Sequence, residues 1–490
     1  MKLNLGEIAL GLGCSPDFAE ISRTRIVPRG AQVDSRLLRP GDIFFCLEGK
    51  NADGHDFAMA AAQAGAAAVV AGRDPFLSAT QKNAGEEAAL PPLLLVPNVQ
   101  AALLRLASCH RGTCTARVVG VTGTAGKTSV KDALFTTLER QKATERSLKN
   151  FNNQIGLPLS MLDASEDAAF WVMEAGISRR GDMEELAAVL RPDLALLLNV
   201  GDGHLEGLGE DGVAAQKALL LDYIQPGGLA LLSADYPELD RECAARAATF
   251  ADKNIKCLRF SIKNPQAFCF AEYLGKAGER GSRYRVRIGD AQTELTAPFL
   301  GAYGAENVAA VTAAAFCLGL SLADITAGLG SAALPQGRFK PEQCGGYIII
   351  DDSYNSNPLS AERMLQSAAA MAREAGLPLL LVLGEMLELG EKSAAAHTRL
   401  GEAAAAAGPE IIFWKGGRED SLRTGLQKGG YKGATRRFDT AARFADLMRE
   451  NAPGKALLLF KGSRANHLDE AAQSLRQAFA ASDHAKSTTG

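Results

Sequence analysis

The sequence predicts a three-domain α/β protein: a small α/β domain at 1–112, a central parallel-sheet domain at 113–340, a doubly wound domain at 341–480, and a tail at 481–490. Three observations carry this expectation. The chain has 490 residues, about three domains at roughly 150 residues each. Short apolar runs alternate with helical patterns through the second and third parts, as in mainly parallel sheets covered on both faces. Glycine and proline cluster where one series gives way to the next.

Residues 3–106 mix short apolar runs with a polar loop at 83–89 that precedes Pro91 and Pro92. This reads as the first domain. The opening stretch carries Glu7 among its apolar residues and lacks a small-x-small cleavage site, so no signal peptide is expected. The second domain begins with the apolar run 118–121, a glycine loop and a helical stretch at 128–138. Further strands are expected at 170–173, 194–199 and 229–232, with helices at 183–190 and 213–224. Residues 282–295 alternate polar and apolar (Tyr284, Val286, Ile288), as one half-exposed antiparallel strand at the sheet edge would. A hinge is expected across 334–347, where Pro335, Gly337, Pro341, Gly345 and Gly346 gather. The third series follows, with strands at 347–350, 379–383, 411–414 and 457–460 and helices at 360–375 and 394–407.

Composition narrows the function classes. Hydrophobic residues at 47%, charged residues at 22% and a mean hydropathy of -0.03 are globular values, against a disordered or fibrous chain. The longest apolar runs, such as 378–383 and 456–460, fall well short of the ~18 residues of a spanning helix. With 53 basic and 56 acidic residues the formal charge is -3, which leaves no excess to hold nucleic acid. Nine cysteines stand singly from Cys14 to Cys344 with no C-x-x-C pair, fitting reduced thiols in the cytoplasm.

The most specific motif is Gly120-Val121-Thr122-Gly123-Thr124-Ala125-Gly126-Lys127-Thr128. It follows a strand and opens a helix, where backbone N–H groups and the helix N-terminus can wrap an anion. Lys127 is suited to the β- and γ-phosphates, and the Thr128 hydroxyl to Mg²⁺. The long G-x-x-x-x-G-K-[ST] spacing fails, because Val121 stands where its first glycine belongs.

Metal ligands for such a site are sought where neighbouring strands stop, at the carboxyl edge of the sheet. Glu174 ends one apolar run and His204 lies four residues past another; a satisfied structural histidine is the plainer alternative for the latter. In the helical stretch 213–224, Lys217 shares a face with Val213, Leu220, Leu221 and Ile224. Either its stem packs while the ammonium reaches water, or it is a desolvated amine able to take up carbon dioxide as a carbamate.

Over nearly its whole length the chain resembles the Mur ligases of peptidoglycan synthesis, and within them the dipeptide-adding member. The short phosphate loop is similar to theirs, and Asn150-Phe151-Asn152-Asn153-Gln154-Ile155-Gly156-Leu157-Pro158, Glu174-Ala175-Gly176 and Gly203-His204-Leu205-Glu206 follow in the family's order. Asp34-Ser35-Arg36, Pro40-Gly41-Asp42-Ile43-Phe44 and Asp53-Gly54-His55-Asp56-Phe57 resemble its UDP-binding N-terminal domain. Asp351-Asp352-Ser353-Tyr354-Asn355-Ser356-Asn357-Pro358 resembles the dipeptide-adding motif, with Ser356 for the usual alanine. The stretch Leu383-Gly384-Glu385-Met386-Leu387-Glu388-Leu389-Gly390 with His397, and Lys461-Gly462-Ser463-Arg464, are similar too, with Glu385 for a common aspartate.

The resemblance implies an ATP-dependent, ADP-forming ligase that adds D-alanyl-D-alanine to UDP-N-acetylmuramoyl-tripeptide through an acyl phosphate. It implies ATP contacts from Gly123, Thr124, Ala125, Gly126, Lys127 and Thr128, with Asn307 on the adenine and Arg338 on the γ-phosphate. Two Mg²⁺ sites are implied on Thr128, Glu174, His204 and a carbamylated Lys217, making Lys127, His204 and Lys217 the expected catalytic set. Substrate contacts are implied for Ser35, Arg36, Asn152, Asn153, Asp352, Tyr354, Asn355, Asn357 and Lys461. A monomer without nucleic-acid or membrane partners is expected. Two rivals stand beside this reading: a ligase of the same superfamily adding a single amino acid to a muramoyl peptide or glutamate to a folate, and a binding protein switched by ATP.

Overall fold

A computed structural model describes residues 2–14, 26–77, 90–201, 212–278, 281–335 and 337–487, with side chains to 478 in the last helix. Its strands form three separate sheets in chain order.

The first sheet has four parallel strands in sequential order, β1 (Ala31–Gln32), β2 (Ile43–Phe45), β3 (Ala68–Ala71) and β4 (Leu93–Leu95). The helices α1 (Leu5–Leu12), α2 (Ala58–Gln63) and α3 (Val99–Thr113) accompany it. Asn4 starts α1 by a capping box with Glu7, which satisfies two otherwise orphaned N–H groups. The Arg111 guanidinium of α3 donates to the Leu190 and Arg191 carbonyls and to Asp193, tying this unit to the next.

The middle sheet has nine strands in the order β13-β12-β11-β10-β9-β8-β5-β7-β6. These are β5 (Arg117–Thr122), β6 (Thr144–Arg146), β7 (Phe170–Glu174), β8 (Leu194–Leu197), β9 (Leu229–Ser233), β10 (Lys256–Ser261), β11 (Cys269–Ala277), β12 (Gly281–Ile288) and β13 (Ala291–Ala297). Pairing is parallel from β6 to β11 and antiparallel beyond. Around it lie α4 (Lys127–Glu139), α5 (Gly156–Asp163), α6 (Asp182–Leu190), α7 (Gly212–Ala218), α8 (Pro237–Ala245), α9 (Ala247–Asp252), α10 (Gly301–Cys317) and α11 (Leu322–Ser331). Val118, Val119 and Val121 of β5 are fully buried, as expected of a central strand covered on both faces.

The third sheet runs β14-β15-β19-β16-β17-β18. Its strands are β14 (Lys340–Cys344), β15 (Tyr347–Asp352), β16 (Leu379–Gly384), β17 (Ile411–Lys415), β18 (Ala434–Arg437) and β19 (Ala456–Lys461), all parallel except β14. The helices are α12 (Pro358–Ala375), α13 (Ser393–Ala407), α14 (Glu419–Lys428), α15 (Ala441–Asn451) and α16 (Leu468–Ser487).

Four local expectations are corrected. Residues 282–295 hold two strands, because Gly289 at φ +55° turns the chain back on itself. Part of the expected hinge is β14, paired antiparallel to β15 across Gly345 and Gly346; its glycines make a hairpin turn rather than a flexible joint. The stretch 213–224 is α-helical only to Ala218 and tightens to a 3-10 turn over Leu219–Tyr223. The last helix runs to Ser487, into the stretch expected as a tail, since residues 468–489 hold neither Gly nor Pro to stop an alanine-rich helix.

Candidate active site

Strand order turns at β5, whose neighbours β7 and β8 both follow it in sequence. In such sheets a crevice opens beyond the strands' carboxyl ends. The 123–128 loop fills that place. Gly126, at φ +81°, starts α4, and a Cβ on it would stand 2.8 Å from the Asn307 Oδ1. Loop and α10 therefore approach as closely as glycine permits.

The loop is held from beneath by Asn199, just past β8. Its Oδ1 accepts from the Ala125 N–H at 2.8 Å, and its Nδ2 donates to the Ala125 carbonyl at 3.1 Å. The same Nδ2 donates to Glu306 Oε2 at 2.9 Å, and Glu306 is paired with Arg363 of α12 at 2.8 Å. Sequence reasoning missed Asn199, Glu306 and Arg363. The only signal was that Glu306 adjoins Asn307.

Glu174 is the last residue of β7 and only 1% exposed. The Thr128 hydroxyl donates to its Oε2 at 2.9 Å and the Asn152 amide to its Oε1 at 2.7 Å. A hydroxyl and a carboxylate in contact are the oxygen donors a hard divalent cation takes, so these residues fit Mg²⁺. The Lys127 Nζ donates back to the Gly123 carbonyl at 2.9 Å, and burial, then Arg338, push its ammonium pKa down against the pull of Glu174.

Lys217 is 2% exposed. It makes no hydrogen bond or ion pair among the described residues, and burial, reinforced by the Lys127 charge, pushes its pKa well below the usual lysine range. The residue as a whole is buried, which favours the desolvated amine over an ammonium extended into solvent. His204 lies outside the described residues.

The third domain supplies the opposite wall. Asp352 and Lys461 end adjacent parallel strands in register, which brings their side chains to a 2.7 Å ion pair. Burial moves the carboxyl up and the ammonium down, and their mutual contact opposes both shifts. Lys461 also donates to the Asn355 carbonyl at 2.6 Å. Asn357 caps α12 with its Oδ1, while its Nδ2 donates to the Thr124 carbonyl at 3.2 Å. Arg338 stacks over the Tyr354 ring at 4.2 Å and donates to Thr128 Oγ1 at 3.3 Å.

These residues enclose a cavity of about 730 Å³ between the two domains, lined by the 124–128 loop, Asn152, Asn153, Glu174, Asn307, Arg338, Asp352, Tyr354, Asn355, Asn357 and Lys461. Arg179 and Asp182 also line it and were missed by sequence reasoning; Asp182 takes the Ser178 and Arg179 N–H groups at 2.8 and 2.9 Å. Asn153 serves its own helix, accepting from the Gly156 N–H at 2.8 Å. Ser35 and Arg36 are not in this lining; the Arg36 guanidinium is exposed and paired with Asp34 at 2.7 Å. Nor does Lys217 reach the lining, being buried behind it. Glu385, longer than the usual aspartate, still finds a donor in the Gly417 N–H at 2.8 Å.

Comparison with known proteins agrees with this geometry. Family models match the chain at 29–111 (Mur ligase family, catalytic domain), 121–315 (Mur ligase middle domain) and 337–464 (Mur ligase, glutamate ligase domain). The UDP-N-acetylmuramoyl-tripeptide--D-alanyl-D-alanine ligase of Mycobacterium tuberculosis is 32% identical over 405 residues, covering 78% of this chain and 76% of that one. The chain belongs to the Mur ligase family. Among solved structures, this Mur ligase is similar to MurF from Acinetobacter baumannii, with a TM-score of 0.81 at 26% identity, covering 97% of this chain and 98% of that one. It is also similar to the MurF ligase of Thermotoga maritima in complex with ADP, with a TM-score of 0.77 at 25% identity over 93% and 98% of the two chains.

Proposed function

We propose that this Mur ligase joins D-alanyl-D-alanine to UDP-N-acetylmuramoyl-tripeptide, converting ATP to ADP and phosphate and making the pentapeptide precursor of peptidoglycan. The observation that carries this reading is the single cavity with a phosphate loop and a Thr128–Glu174 oxygen pair on one wall and the Asp352–Lys461 pair on the other.

A carboxylate does not acylate an amine near neutral pH until its oxygen becomes a leaving group. The tripeptide carboxylate attacks the γ-phosphorus, ADP departs, and the acyl phosphate is then attacked by the dipeptide amine, releasing phosphate. The chain's part is positioning and charge neutralisation. The 123–128 backbone cradles the phosphates, Lys127 leaves Gly123 to neutralise them, and Arg338 approaches the γ-phosphate from the third domain. Asn307, against Gly126, faces the adenine. Asn152 and Asn153 meet the tripeptide end; Asp352, Tyr354, Asn355, Asn357 and Lys461 orient the dipeptide. Ser35 and Arg36 hold the distant uridine end.

When bound, Mg²⁺ would supply charge compensation for the phosphates. Thr128 and Glu174 would hold one ion, and His204 with a carbamate on Lys217 would hold a second. The carbamate is supported by the unpaired burial of Lys217, which favours a neutral, carbon-dioxide-reactive amine. Residues 1–112 serve the UDP end, 113–340 the ATP and 341–480 the dipeptide. The chain is taken to act as a monomer, and nine free cysteines suit the cytoplasm. No helix among the described residues is long and apolar enough to cross a membrane.

Purified protein releases ADP and phosphate in step with pentapeptide formation, and only when both muramoyl tripeptide and D-alanyl-D-alanine are present. Comparable ATP hydrolysis with neither acceptor, or equal use of a single amino acid in place of the dipeptide, overturns the assignment.

A further inference from the structure

Away from the active site, two cysteines from different elements meet. Cys243 lies near the end of α8 and Cys257 is the second residue of β10, and their sulfurs are 2.8 Å apart. The Arg259 guanidinium donates to the Cys257 sulfur at 2.6 Å through Nη1, and through Nε to Asp240 at 2.7 Å. Asp240 and Cys243 share α8, so the guanidinium bridges the same two elements as the sulfurs do. Cys257 is partly exposed, while Cys243 is 7% exposed behind it.

We propose that Cys243 and Cys257 are a peroxide-reactive dithiol that closes to an intramolecular disulfide. The geometry supplies what such a pair needs: a cation touching the sulfurs, a resolving thiol already in contact, and an opening to solvent. The pair shares one thiolate: the hydrogen bond from Cys257 holds Cys243 at about 6, with Arg259 adding to the effect. Elsewhere the opposite holds, burial pushing Cys46 up to about 12 and Cys317 to about 11.

The oxidant is hydrogen peroxide. The Cys243 thiolate attacks one peroxide oxygen, the O–O bond breaks, hydroxide leaves, and Cys243 becomes a sulfenic acid. The Cys257 sulfur then attacks the Cys243 sulfur, the S–O bond breaks, and the thiol proton leaves with the hydroxyl as water. In sum, two thiols and one peroxide give one disulfide and two waters.

The test treats the native full-length protein with one equivalent of peroxide at neutral pH, then alkylates it in denaturant. The expected result is a mass lower by two hydrogens before alkylation and seven adducts after it, against nine without peroxide, with the Cys243 and Cys257 peptides linked. In Cys257→Ser the reaction stops at a Cys243 sulfenic acid that dimedone traps. In Arg259→Gln the linkage forms roughly fivefold more slowly at neutral pH, as the thiolate fraction falls. Recovery of both cysteines fully alkylated from peroxide-treated wild-type protein overturns the proposal, as does conversion of Cys243 to sulfinic acid with Cys257 untouched. Both outcomes are read on protein that needs no substitution to fold, and neither depends on ligase activity.

Discussion

At Gly126 a backbone angle of φ +81° coincides with an Asn307 oxygen 2.8 Å from where a side chain would begin. Alanine there meets a steric penalty of about 1–2 kcal/mol for the left-handed conformation, before the Asn307 contact is counted. Gly126→Ala is therefore expected to weaken binding of a non-hydrolysable ATP analogue by about tenfold or more, measured by calorimetric titration. Lys217 presents the opposite case, a residue whose chemistry matters because burial and the Lys127 charge outweigh the pull of Glu174 on its ammonium. Lys217→Ala is expected to lose ligase activity, and a small carboxylic acid such as propionate to restore part of it by standing in for the carbamate. Full activity in the variant, or no rescue at any propionate concentration, counts against the modified lysine. Neither residue's role follows from its type alone; the left-handed angle and the burial decide it.

Elements carry the geometry between such residues. The loop after β16 is fastened to α13 by His397, whose Nε2 accepts from the Met386 N–H at 2.9 Å and whose Nδ1 donates to the Ser393 carbonyl at 2.7 Å. Accepting at Nε2 requires the neutral ring, and burial pushes its pKa below the usual histidine value. The unfolded chain thus binds a proton more readily than the folded one. This contribution to stability is complete above about pH 6.5 and is lost as pH falls from there through the folded value. The thermal transition is expected to drop as pH is lowered from 7.5 to 5, and His397→Asn to flatten that dependence; identical slopes in the two proteins would refute it. A motif that resembles the family's active-site sequence is, at His397, a fastening for a loop. The same motif reaches the cavity through Leu387 and Glu388, and the neighbouring one through Asp352 and Lys461, which end paired strands, while His397 lies inside α13.

Across the whole molecule, the second and third domains meet through Arg363, Glu306 and Asn199, a chain of contacts that ends on the phosphate loop. Arg363→Met leaves Glu306 buried without its cation, which costs about 3–5 kcal/mol for a pair of this kind. A lower thermal transition and a raised KM for ATP are expected together, with Glu306→Gln in the same chain recovering part of the stability. If the transition is unchanged, the pair does not join the domains. The apolar runs of the sequence determined the central strands β5, β7, β8, β9, β15, β16, β17 and β19 to within a few residues, while β6, β10, β11, β14, β18 and most of the helices between them were not expected, and the order of motifs determined the family and the phosphate loop. These are local properties, written in the spacing of neighbouring residues. Only the tertiary structure decided that 282–295 doubles back, that the glycine-rich joint is half strand, that Lys217 is buried, and that Asn199 and Arg363 serve a loop remote from both in sequence. Such facts depend on which distant surfaces pack together, and a buried charge or a left-handed glycine has no period along the chain to reveal it.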